Sequence, residues 1–186
     1  MNVPTFDPTR HHRRSIRLKG YDYTQAGAYY VTIVCKHREH FFGKVVNGEM
    51  QLNELGKLAQ DCWLAIPEHH PHADLDEFII MPNHVHGILV LDDGGVRKGV
   101  QLNAPTPRDP DNPFSVMSPH KRALGVVVRT YKAAVTTGCR GLNRYDFGWQ
   151  INYHDHIVRD EQDLERIRAY IANNPLNWDA DEENIS

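Results

Sequence analysis

Ile79-Ile80-Met81-Pro82-Asn83-His84-Val85-His86-Gly87-Ile88-Leu89-Val90-Leu91 is the stretch on which the reading of this chain turns. Side chains two apart on a strand share a face, so His84 and His86 open a β-run with two imidazoles side by side. Ile88 and Val90 continue the histidine side, while Val85, Leu89 and Leu91 occupy the other. A strand apolar on both faces is a central one, covered at least in part on each side. Two neutral imidazoles can hold a divalent cation and leave most of its charge for an anionic substrate such as a phosphodiester. An ordinary pair of hydrogen-bonded histidines is the alternative, so the triplet needs partners elsewhere.

Working outward, residues 77–81 read as the strand before the triplet, with Pro82-Asn83 as the break. Residues 28–36 and 41–46 read as further strands, and Asn47-Gly48 is a strong hairpin-turn signal returning through residues 50–53. Leu55, Leu58, Ala59, Cys62 and Ile66 form a helical stripe that Pro67 is expected to end, before a histidine-rich turn at residues 68–72. That turn could hold metal or be plainly solvated. Ser118-Pro119 opens a second helix running to about residue 137. Residues 147–158 supply one or two edge strands.

Near the far end, Asp160 is a candidate N-cap, and Leu164, Ile167 and Ile171 recur at helical spacing. Pro175 closes the helix, because proline disfavours α geometry in the residue before it. Tyr170 borders the buried stripe and Asn174 lies one turn further on. A phenol and an amide oxygen can therefore project over the surface this helix covers. A half-buried aromatic and a helix-ending asparagine are the plainer readings.

The charges are segregated. Arg10, His11, His12, Arg13, Arg14, Arg17 and Lys19 make a basic start, Lys121, Arg122, Arg129, Lys132, Arg140 and Arg144 a second basic group, and Asp179, Asp181, Glu182 and Glu183 an acidic end. With a formal net charge of -3 the chain is no general polyanion binder, but one side could track a nucleic-acid backbone. Three cysteines without C-x-x-C spacing indicate neither a disulfide framework nor a thiolate zinc site. No apolar run approaches membrane-spanning length, and a cytoplasmic location is the expectation. We divide the chain into a basic, flexible arm (1–19), a central domain (20–178) with a mobile, Gly- and Pro-rich loop (92–118), and an acidic tail (179–186).

Taken in order, Met81-Pro82-Asn83-His84-Val85-His86, then Trp149-Gln150 with His156-Ile157-Val158-Arg159, then Tyr170-Ile171-Ala172-Asn173-Asn174-Pro175 resemble the single-tyrosine HUH transposases. The likeness is to the branch associated with repetitive extragenic palindromes (REP), related to insertion-sequence transposases, and runs from about Arg13 to Trp178. The order of elements by itself reads as an α+β sandwich with helices on a mainly antiparallel sheet. The resemblance refines it to a ferredoxin-like (RRM-like) fold. It implies a transposase that nicks and rejoins single-stranded DNA beside a hairpin. Tyr170 would be the nucleophile forming a 5′-phosphotyrosine, and His84, His86 and Asn174 the ligands of Mg²⁺ or Mn²⁺. His156 and Arg159 fall in the family's segment near the DNA, and Arg13, Arg14, Arg17 and Lys19 are candidates for gripping phosphates. Monomer and homodimer both stay open, because relatives of both kinds exist. Alternatives are a domesticated, non-catalytic nucleic-acid-binding module and a metal-dependent phosphodiester hydrolase.

Overall fold

β-Branched and aromatic residues build β1 (Gly27–Val34), whose alternate side chains are buried on opposite faces. The structure, a computed structural model, describes residues 21–92, 123–181 and 183–184. The basic arm with Arg13, Arg14, Arg17 and Lys19, nearly all of the 92–118 loop, and the expected helix start at Ser118 lie outside the described residues. After β1 a separate hairpin, β2 (Gly43–Val46) and β3 (Glu49–Leu52), turns at Asn47 and Gly48, both at positive φ (54° and 76°). That is the primed-turn backbone which Asn-Gly favours. Helix α1 (Glu54–Leu64) is capped by the Asn53 side chain, which accepts from the Gly56 amide at 2.9 Å.

Beyond α1 the chain forms a one-turn α2 (Ile66–His69), then β4 (Ala73–Ile80) and β5 (His84–Leu91). Pro67 therefore does not open a loop. It occupies the first turn of α2, where a proline needs no amide partner. β4 begins four residues earlier than the alternation suggests, because a bulge between Leu75 and Phe78 breaks the period. Helix α3 (Leu124–Gly141) runs past residue 137, its buried stripe continuing through Cys139. Of residues 147–158, only β6 (His154–Ile157) is a strand, with a single bridge between Cys35 and Trp149 nearby. Helix α4 (Glu161–Asn173) starts where Asp160 accepts from the Asp163 amide at 2.8 Å, and a 3-10 helix (Asn174–Ala180) follows.

The main sheet has the order β4-β5-β1-β6, antiparallel throughout. With α1 between β1 and β4, and α3 between β5 and β6, this is the ferredoxin-like α+β arrangement. β1 and β5 occupy the centre, as the two-sided apolar pattern of β5 requires. On one face Tyr29, Val31, Ile33, Val85 and Leu89 meet Trp63 of α1 and Tyr131 of α3. Gly87 is part of that fit: a β-carbon there would collide with the Trp63 indole. On the other face Ala28 and Ile88 meet Leu164, Ile167 and Ile171 of α4. Each of those α4 side chains contributes about 1.5–3 kcal/mol by leaving water. Together they dock α4 across the histidine side of the sheet. Among the described residues no helix is long and apolar enough to cross a membrane.

Candidate metal site

His84 and His86 lie buried at the start of β5, their ring centroids 4.3 Å apart. His84 is held by its neighbour: Asn83 Nδ2 donates to the carbonyls of Arg38 (3.1 Å) and Glu183 (2.7 Å). With both amide protons spent, Asn83 Oδ1 is left as an acceptor, 2.8 Å from His84 Nδ1. His84 Nδ1 must therefore carry the proton, and Nε2 presents a lone pair. The Arg38 carbonyl reaches Asn83 from a turn in which His37 and Arg38 both have φ of 57°, an unfavourable conformation for side-chain-bearing residues.

His86 is held from β1. The antiparallel register sets Thr32 opposite His86, and Nδ1 lies 3.0 Å from Thr32 Oγ1 and 2.7 Å from the Tyr30 hydroxyl. An Nδ1–H shared between these oxygens leaves Nε2 as the available nitrogen. Burial pushes His84 down to about 3. Burial, and then the adjacent His84, hold His86 well below its ordinary value against the opposing pull of Asp181. Both rings are neutral at physiological pH, which is the ligand form.

A carboxylate completes the cluster. Ligand atoms of His84, His86 and Asp181 all lie within 4.8 Å of one another. Asp181 Oδ2 accepts from Asn174 Nδ2 at 2.7 Å, and Oδ1 accepts from the Glu183 amide at 2.7 Å. His84 Nε2, His86 Nε2 and Asn174 Oδ1 are buried with no hydrogen-bond partner among the described residues. Buried polar atoms are rarely left so. Two imidazole nitrogens and oxygen donors fit a hard-to-borderline divalent cation.

Tyr170 stands beside this cluster, its ring centroid 5.4 Å from that of His86 and 6.3 Å from that of Tyr30. The residue is 48% exposed, so its phenol is open to solvent. Among the other phenols, Tyr21 and Tyr29 are buried against each other, and Tyr30 is half-buried with its ionisation pushed up by desolvation.

His156 lies opposite Tyr30 on β6, and its Nε2 is 2.7 Å from Asp163 Oδ2 in the first turn of α4. Arg159 is exposed, and with His156, Asp160 and Arg166 it lines a surface recess at that end of the helix. Trp149 packs among Phe42, Tyr131 and Phe147, with its Nε1 donating to the Lys132 carbonyl at 3.1 Å. Its ring thus serves the core. In the histidine-rich turn the His70 and His72 rings lie 5.7 Å apart, with no third His, Cys, Asp or Glu grouped with them among the described residues.

Asn83, Tyr30, Thr32 and Asp181 are not among the candidate site residues that the sequence patterns give. Asn83 sits immediately before the triplet and could have been suspected as its hydrogen-bond partner. Tyr30 and Thr32 become visible only with the β1–β5 register. Asp181 reads as one more acid in an acidic run, and only the turn after α4 returns it to the histidines.

No protein-family model matches the chain. A Haemophilus influenzae protein described as an uncharacterized protein is 42% identical over 178 residues, covering 92% of this chain and 93% of that one. Among solved structures, a REP-associated tyrosine transposase bound to a REP hairpin superposes with a TM-score of 0.56 at 16% identity, covering 90% of this chain and 73% of that one. That likeness is one of fold.

Proposed function

We infer the activity of this chain, which belongs to the same family as the Haemophilus influenzae protein, from the chemistry gathered at the start of β5. It is a metal-dependent, single-strand DNA transesterase of the single-tyrosine HUH type, a transposase that cuts beside a hairpin and rejoins strands. The observation that carries the reading is the convergence of ligand atoms of His84, His86 and Asp181 within 4.8 Å of one another, with the Tyr170 ring centroid 5.4 Å from that of His86. The hairpin-bound state of the similarly folded transposase supports the choice of substrate.

His84, His86 and Asp181 would hold the metal, with Asn174 Oδ1 as a further donor. Mg²⁺ and Mn²⁺ both suit the oxygens, and the imidazoles favour Mn²⁺. When bound, such an ion acts as a Lewis acid toward a phosphodiester oxygen. The protein's own task is to present the nucleophile. A tyrosine phenol titrates near ~10 in model peptides, so it is a weak nucleophile until its proton is drawn off. As the Tyr170 oxygen bonds to phosphorus, the phenol proton leaves to solvent, the P–O3′ bond breaks, and the departing 3′ oxygen takes up a proton. The phosphotyrosine at the 5′ end keeps a phosphodiester, so another 3′-hydroxyl can reverse the step and join new strands. Tyr170 neighbours His86 within one chain, which supports a site completed in a monomer. His156, Arg159 and the basic arm with Arg13, Arg14, Arg17 and Lys19 would track the DNA backbone, in the cytoplasm.

The test is a denaturing gel of the protein with labelled single-stranded hairpin DNA and Mn²⁺. A covalent adduct is expected, lost in Tyr170→Phe and on chelation of the metal. Free cleavage products without an adduct would make the protein a hydrolase. Intact DNA that is nevertheless bound would make it a binding module.

A further inference from the structure

A second set of interactions bears on Tyr170, although none of them touches a candidate ligand. β4 carries one extra residue between Leu75, which pairs with Leu89, and Phe78, which pairs with Gly87. Leu75 and Phe78 both pack toward α1 and α3, so the bulge leaves two consecutive residues, Asp76 and Glu77, between inward-facing ones. Asp76 Oδ1 accepts from the Glu77 amide at 2.8 Å, which satisfies a backbone donor that the bulge removes from the ladder. The same carboxylate takes two parallel bonds from Arg168: Nε to Oδ1 at 2.8 Å and Nη2 to Oδ2 at 2.6 Å. Glu165, one turn earlier on α4, accepts from Arg168 Nη1 at 2.5 Å and holds the guanidinium from the other side. Arg168 is two residues before Tyr170.

We propose that the Asp76–Arg168 pair is a positioning device that sets where α4 lies along β4, and so places the Tyr170 phenol beside His86. The apolar stripe of Leu164, Ile167 and Ile171 holds α4 against the sheet, but contacts of that kind are non-directional. They tolerate sliding and rotation that a planar, two-bond fork does not. The bulge is what presents a carboxylate at the right point of an otherwise regular edge strand. Asp76 and Arg168 act through the helix and make no contact with DNA or metal. The proposal rests on Tyr170 being the nucleophile, and its test separates the two ideas.

Arg168→Gln and Arg168→Lys are compared with the parent chain in two measurements. The first is the nuclear Overhauser contact between the Tyr170 and His86 ring protons in metal-free protein, which needs no activity. The second is the rate of covalent adduct formation with saturating hairpin DNA and Mn²⁺. Arg168→Gln should weaken the ring contact and slow adduct formation by about tenfold or more, since small misplacements of a reacting group are costly. Hairpin affinity should stay within about twofold of the parent. Arg168→Lys, which keeps the charge and loses the fork, should fall between the two. Circular dichroism checks that α4 is retained; if it melts, the ring contact is read in Asp76→Asn instead. An unchanged ring contact in the folded variants overturns the proposal whatever the chemistry does. Absence of adduct from the parent chain overturns the transesterase reading and leaves the ring contact to decide the positioning role.

Discussion

A single side-chain amide sets the chemistry of His84. Asn83 donates both of its protons to carbonyls from distant parts of the chain, so its oxygen can only accept, and the imidazole it faces can only donate from Nδ1. Groups that orient a ligand in this way commonly matter 10–100-fold to metal affinity. Asn83→Ala should therefore lower Mn²⁺ affinity by about that factor, measured by calorimetric titration, while the thermal midpoint shows whether the fold persists. An affinity within about threefold of the parent would mean that His84 finds its tautomer without Asn83. His86 has two oxygens at Nδ1 instead of one, so the two ligands are not equally exposed to loss of a single partner. The strand period alone locates both histidines, but it says nothing of which nitrogen each presents. That depends on neighbours one residue away for His84 and 54 residues away for His86.

At the level of elements, α4 is the piece whose docking matters most. Its stripe of Leu164, Ile167 and Ile171, its Asp160 cap and its end near Pro175 are all legible in the sequence, because each is a local pattern. The bulge in β4 is not legible, since an extra residue erases the alternation that would have revealed the strand. The ion pair joining the two elements carries a pH signature. The Arg168 hydrogen bonds beside Asp76 hold its carboxyl below the ordinary carboxylate range, with partial burial opposing them. A depressed carboxyl stabilises the fold above its unfolded value, near ~3.9, and that contribution disappears as pH falls through the folded value. Asp76→Asn should consequently cost about 1 kcal/mol at pH 7, a figure discounted for the partial exposure of Arg168. The difference should shrink progressively as pH is lowered from 7 to below ~3.9. Urea unfolding of both proteins at the two pH values checks this, and a cost that stays constant with pH would show that packing, and not charge, is lost.

Across the whole molecule, the ferredoxin-like layering follows from β5 being apolar on both faces, with helical stripes before and after it. The site was half legible: His84, His86, Tyr170 and Asn174 sit on periodic elements whose facing can be counted. Asp181 follows α4 through a 3-10 turn and returns to the histidines by packing of Trp178 near His84, which no period encodes. Charge is distributed on the same large scale. On the proposed function, a phosphate backbone approaching the histidines would meet the Asp181 carboxylate, while that of Glu183 is paired with Arg38 at 2.7 Å. Attraction to DNA would then have to come from elsewhere, and the first 19 residues concentrate Arg13, Arg14, Arg17 and Lys19. If those four cations neutralise phosphates, they release counterions, and binding weakens with salt in proportion to their number. Removing residues 1–19 should therefore weaken hairpin binding and reduce the slope of log affinity against log salt by roughly 3, at about 0.7–0.9 per contact. Fluorescence anisotropy between 50 and 200 mM salt, on the order of the range where such slopes are read, measures both effects. The truncated chain should keep the thermal midpoint of the parent. A slope that does not change would assign the phosphate contacts to the folded body, with Arg159 and Arg166 in the recess at the start of α4 as the next residues to replace.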